Sequence, residues 1–268
     1  MGARADNHSR ILLRKELTMV RAVACLVLCA PGAVYGQSEA APRFEVASIK
    51  PSKADPSSSS GIKTGHGRLS AQNVTLRRCI IGAYGVGPHQ ILSGPDWLDS
   101  DRFEIAAIAD QPVGDSVLMV MLQSLLAERF KLALHRETRI IQAYTLEIGK
   151  NGPKLEKAEA GESVTNSSTS NGRAMIDAHY ASMDGLANVL ARQMDLPVVN
   201  QTRLEGVFNF KLQWTRESAQ PAKAGDAAVE EAPSIFTAIQ EQLGLRLRAQ
   251  KAAVEILVID HAERPAEN

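Results

Sequence analysis

The chain has 268 residues, of which 44% are apolar and 4% aromatic, with 30 basic against 30 acidic side chains. That length suffices for one sizeable core or two small ones. The even charge argues against a nucleic-acid footprint or an anionic-membrane surface.

Met19–Gln37 reads MVRAVACLVLCAPGAVYGQ. Arg21 supplies a positive start, an apolar core runs from Ala22 to Leu28 and weakly on to Val34, and Val34 and Gly36 are small residues before Gln37. This is the pattern of a secretory signal cleaved before Gln37, and it is too short for a membrane span. The polar stretch before it has no apolar helical face, which points to Met19 as the true start; the other reading is a long basic leader. Residues 1–36 are therefore read as the signal region. Cleavage leaves 25 basic and 28 acidic residues, net −3, with Cys79 as the remaining cysteine. The mature chain then has no internal disulfide and is held by its core. Cys79 lies in a helical apolar pattern and reads as a buried, inert thiol, a reactive or intermolecular thiol being the alternative. No other segment is long and apolar enough to cross a bilayer, so no transmembrane span is expected in the mature chain.

Residues 37–65 hold an N-terminal strand and a Ser/Pro-rich loop. Arg43–Lys50 alternates as a strand, and Pro51–Gly67 reads as a loop. Thr75–Val86 places Leu76, Cys79, Ile80 and Ala83 on one helical face, with Gly85 as a stop. Asp101–Ala109 reads as a strand. Asp115–Phe130 is the strongest helix, with Leu118, Met121, Leu122, Leu125 and Leu126 as its stripe and Asp115 as its candidate cap. Lys131–His135 and Arg139–Gly149 read as a strand pair. Ala158–Gly172 reads as a linker. Ser182 caps a helix whose inward residues are Met183, Leu186, Val189 and Leu190. Val207–Trp214 alternates, with Phe208, Phe210, Leu212 and Trp214 on one face. Thr215–Pro233 reads as a polar loop. Ser234 caps a last helix that Gly244 stops, with Leu245 folding back on it. Val254–Asp260 is apolar on both faces, as in a central strand.

The same order of elements occurs in residues 66–157 and in residues 174–268, joined by the linker 158–173. LLAERFKLAL from Leu125 matches IQEQLGLRLR from Ile239, and AYTLEI from Ala143 matches VEILVI from Val254. The expected fold class is α+β: two tandem similar units, each with two helices on a mainly antiparallel sheet.

Chemistry is sparse in this sequence. The histidines are scattered and none has a second ligand at zinc-binding spacing, so no metal and no cofactor are expected. No nucleophile elbow or phosphate loop is present, and Gly85–Gln90 follows a helix, so it is a turn and not a dinucleotide fingerprint. His135 with Glu137, and Asp260 with His261 and Glu263, read first as surface groups and second as sites. Asp96, Asp99 and Asp101 flank Trp97 on a Gly-Pro turn. This turn is either a ligand-facing loop or a core plug solvated by its aspartates. Asp96, Trp97, Asp99 and Trp214 are the candidate ligand- or partner-binding residues, and no catalytic residue is assigned.

FEVASIKP (Phe44–Pro51), GPDWLDSDRFEIAA (Gly94–Ala107), LLAERFKLALHRETR (Leu125–Arg139), YTLEIGKNGPKL (Tyr144–Leu155), LEGVFNFKLQW (Leu204–Trp214) and VEILVIDHAERP (Val254–Pro265) resemble a soil-associated family of exported proteins of unknown function. The resemblance covers nearly all of the mature chain. It implies export in a Gram-negative envelope, without an established activity. Some relatives join a similar domain to a membrane zinc peptidase of the antibiotic-sensor type, which implies sensing or binding outside the cytoplasm. The expectation is an exported, non-catalytic binding or protein-interaction module, periplasmic or extracellular, whose partner is an envelope protein or a small ligand. The alternatives are a secreted hydrolase using Asp96, Asp99 or Asp260, and a sensor accessory that binds a small ligand between the two units.

Overall fold

A computed structural model describes residues 41–159, 161, 163–170, 172–216 and 233–266. The signal segment Met19–Gln37 lies outside the described residues, as does most of the expected Thr215–Pro233 loop. In chain order the first half holds β1 (Val46–Pro51), β2 (Gly61–Gly65), β3 (Arg68–Thr75), α1 (Leu76–Tyr84), β4 (Ile91–Leu92), β5 (Arg102–Ile108), α2 (Asp115–Arg129) and β6 (Ala133–Ile148). The second half holds β7 (Glu156–Ala158), β8 (Val164–Ser170), β9 (Arg173–Ala181), α3 (Met183–Ala191), β10 (Val198–Asn200), β11 (Val207–Thr215), α4 (Ile235–Leu243) and β12 (Leu245–His261). The class is α+β.

Three four-stranded sheets result, ordered β1-β5-β3-β2, β10-β6-β12-β4 and β7-β11-β9-β8. Two sheets were expected. The third arises because β6 and β12 are long enough to pair with each other antiparallel, from Leu245 opposite Ile148 to Ile259 opposite Leu134. Short parallel strands finish its edges, β10 beside β6 and β4 beside β12. Each end of this central ribbon feeds a different core. Leu257 and Ile259 pack with α1, α2 and the first sheet, whereas Leu146 and Leu245 pack with α3, α4 and the last sheet.

Local sequence explains the helices. Thr75 Oγ1 accepts the Arg78 amide at 3.2 Å, the buried side chains of α1 are Leu76, Cys79, Ile80 and Ala83, and Gly85 ends the helix at φ 64°. That left-handed conformation costs glycine little. Ser182 and Ser234 cap α3 and α4 in the same way, accepting the amides of Gly185 and Thr237. The expected stripe of α2 is buried in full. Its cap, however, is Gly114, not Asp115. Asp115 is the first helical residue, where its carboxylate faces the positive end of the helix dipole.

Three extended segments differ from expectation. Pro51–Gly67 contains β2, and the linker contains β8. All seven side chains of β8 are exposed, so its pairing with β9 rests on backbone hydrogen bonds. The expected strand pair Lys131–His135 and Arg139–Gly149 is instead one strand, β6. No Gly or Pro interrupts His135–Arg139, and β12 supplies partners for its polar side chains: Arg136 pairs with Glu255, and His135 with Asp260.

Both β3 and β9 are bulged shortly before the helix that follows. Asn73 sits at φ 51° and donates its amide to Glu104 Oε1 on β5 at 3.0 Å. Tyr180 sits at φ 53° and donates its amide to Asn209 Oδ1 on β11 at 3.1 Å. A side chain of the neighbouring strand thus satisfies each amide that leaves the ladder.

Candidate functional site

The Trp97 turn is built from Ser93 and Gly94, both at positive φ, followed by Pro95 and a short 3-10 turn over Asp96–Leu98. Trp97 is 8% exposed. It lies near-parallel to Phe130 at 6.4 Å, while Phe103 meets both rings edge-on. The Arg264 guanidinium lies 5.3 Å above the indole centroid and donates to Asp101 at 2.7 Å. Such aromatic and cation–π contacts each contribute about 1 kcal/mol beyond burial. Trp97 is therefore a core plug under a guanidinium lid. Asp99 accepts from Arg77 Nε at 2.5 Å, and Asp96 is exposed. Trp214 belongs to the other core and is 4% exposed. It lines a cavity of about 520 Å³ with Tyr144 and Phe236, between the ends that flank residues 217–232. The two tryptophans thus belong to different cores, and Asp96 and Asp99 lie on the surface.

The other acids and histidines singled out in the sequence form half-exposed surface pairs. His135 Nδ1 meets Asp260 at 2.9 Å, and His261 Nε2 meets Glu263 at 2.8 Å. Glu137 pairs with Arg139, whose hydrogen bond holds the Glu137 carboxyl below the usual carboxylate range. Among the described residues, no group of three or more His, Cys, Asp or Glu side chains is placed to hold a metal ion. Cys79 is fully buried, and burial pushes its thiol up to about 12.

A second cavity, of about 370 Å³, lies where the two halves meet. From the first half it takes Thr64, Arg78, Ile81 and Met119, and from the second Thr165 and Arg192. Gly87 allows this approach: a Cβ there would stand 2.9 Å from Ala191 Cβ, at the end of α3. Gln90 holds the Gly87 segment in place, accepting the Gly87 amide and donating to Glu255 O, both at 2.9 Å. Among the described residues, the Arg78 guanidinium reaches only the Ser60 carbonyl, at 3.4 Å. Arg192 has no acidic partner among the described residues. Arg192 is exposed, yet the protein packed around its guanidinium, and then the Arg78 charge, hold its pKa below the usual arginine value. Neither arginine stands out in the sequence. Arg78 is on the exposed side of α1, Arg192 follows the last residue of α3, and only the tertiary fold joins them.

Among the described residues, no helix is long and apolar enough to cross a membrane. Comparison with curated proteins and with solved structures returns no match. The family model for a protein of unknown function, DUF3738, matches residues 77–262, from the first turn of α1 to just beyond β12. The chain belongs to that family.

Proposed function

We propose that this is an exported binding module of two similar units, whose ligand seat is the cavity at their seam. Export is supported by the signal pattern of Met19–Gln37. The two-unit reading is supported by the sheet orders β1-β5-β3-β2 and β7-β11-β9-β8, which correspond strand for strand. It is supported further by the matching bulges at Asn73 and Tyr180, each three residues before its helix. The observation that carries the binding role is the seam cavity itself. It is of ligand size, is walled by both halves, and holds Arg192, which has no acidic partner among the described residues.

The hydrolase alternative needs two acids converging in a desolvated cleft. Asp99 and Asp260 instead sit in separate solvated pairs, with Arg77 and His135. A protein partner is favoured by one observation, the exposed Phe236 packed edge-on against Tyr144 beside Trp214. Hydrogen exchange of the purified chain, with and without a small-molecule extract of the envelope, separates these readings. Slowed exchange in residues 76–87 and 183–192 is the expected result. Protection confined to residues around Phe236, produced by envelope proteins only, refutes the seam as the seat.

A further inference from the structure

We infer that the seam cavity takes an amphiphilic monocarboxylate, with its headgroup between Arg78 and Arg192 and its apolar chain along Ile81 and Met119. The inference rests on the reading of this cavity as the ligand seat and adds its chemistry.

The charge of the wall points to the headgroup. Among the described residues, two guanidinium groups line the cavity against one carboxylate, Asp115, an excess of one positive charge. A monoanion balances it. The Arg78 charge reaches Arg192, whose guanidinium is packed against protein although the residue itself is exposed. An anion placed between them relieves both penalties at once. Guanidinium forks match the two oxygens of a carboxylate. The hydroxyls of Thr64 and Thr165 supply further donors on opposite sides of the seam. Ile62, Ile81 and Met119 form the apolar part of the wall, which suits a short hydrocarbon chain, and Met accommodates varied shapes.

Comparison of the two halves shows that the fold does not require these arginines. Helices α1 and α3 each have nine residues. The third residue of α1 is Arg78, and that of α3 is Gly185. The residue after α3 is Arg192, and that after α1 is Gly85. Each arginine thus faces a glycine at the matching place in the other half. The chain carries the pair on one side only, where the cavity lies.

Calorimetric titration of the purified full chain at low salt tests this with three probes: octanoate, its neutral analogue octanamide, and inorganic phosphate. Octanoate is expected to bind at least tenfold more tightly than either of the others, because the charged hydrogen bonds and the apolar contact are both needed. Arg192→Gln is expected to weaken octanoate about tenfold or more, and Arg192→Lys to recover part of that loss. Arg78→Gln serves as the second variant should Arg192→Gln fail to fold. Arg246→Gln, on the central sheet, is the control and leaves binding unchanged. Equal binding of octanoate and octanamide, equal binding of phosphate, or octanoate binding unaltered by both arginine variants overturns the inference. Absence of binding by all three probes also overturns it. In that case envelope-extract protection of the seam still decides the broader reading on its own.

Discussion

Asn73 offers a sharp test of how the bulges hold the fold. Its side chain is 2% exposed, and Nδ2 donates to the carbonyls of Asp55 and Ser58, both at 3.1 Å. Asn73→Ala removes both bonds, worth about 1 kcal/mol each, and places a residue with Cβ but no local hydrogen bond at positive φ, worth about 1 kcal/mol more. Part of this is offset, because the buried Oδ1 has no partner among the described residues and its removal relieves a penalty. The expected loss is about 2–3 kcal/mol. Asn73→Gly loses the same bonds without the backbone strain and is expected to be milder by about 1 kcal/mol. Asn73→Asp is expected to be the worst of the three, since its carboxylate replaces both donors and stands near Glu104, which accepts the Asn73 amide. Guanidinium unfolding of the three variants measures the order. A glycine variant as unstable as the alanine variant, or an aspartate variant milder than both, refutes the reasoning.

The other predictions concern the cores, the seam and pH. Phe130→Ala, at a fully buried ring between Trp97 and Phe103, is expected to cost about 3–5 kcal/mol in chemical unfolding. It is also expected to red-shift Trp97 emission in a Trp214→Phe background; an unshifted emission would contradict the plug. Gly87→Ala drives a methyl into Ala191, so it is expected to cost about 1–3 kcal/mol and to weaken octanoate by moving Arg192. Cys79 is expected to resist a thiol reagent at pH 8 in the folded chain and to react once denatured, because its thiol is pushed up to about 12. Glu147 accepts from Arg246 at 2.6 Å, and this bond lowers its pKa. Its pair therefore stabilises the fold fully above the ordinary glutamate value of about 4.3 and loses that contribution as pH falls through the lowered value. The stability gap between wild type and Arg246→Gln should close over that window, and a gap independent of pH would contradict the pairing.

Much of the fold is legible in the sequence because it is written in local chemistry. Ser182 and Ser234 announce two helices, Gly85 and Gly244 end two, and the burial of Phe208, Phe210, Leu212 and Trp214 follows simple alternation. The misses share a physical cause. β8 buries no side chain, so it carries no periodic apolar signal. The middle of β6 is polar because β12 answers its charges across the ladder, and those partners are distant in sequence. The cap of α2 is a glycine whose extended backbone suffices, with no side chain to betray it. The candidate site was harder still. Trp97 and its aspartates form a conspicuous cluster, yet the indole is spent on Phe103, Phe130 and Arg264. Arg78 and Arg192 look like ordinary surface charges until the two halves meet.

The most direct measurement is a crystal structure of the chain purified from its native source without denaturation. The seam reading predicts discrete density for a small molecule touching Arg78 and Arg192, with its apolar end toward Met119. Density for a small molecule in the cavity beside Trp214, with the seam closed by the chain's own side chains, contradicts it.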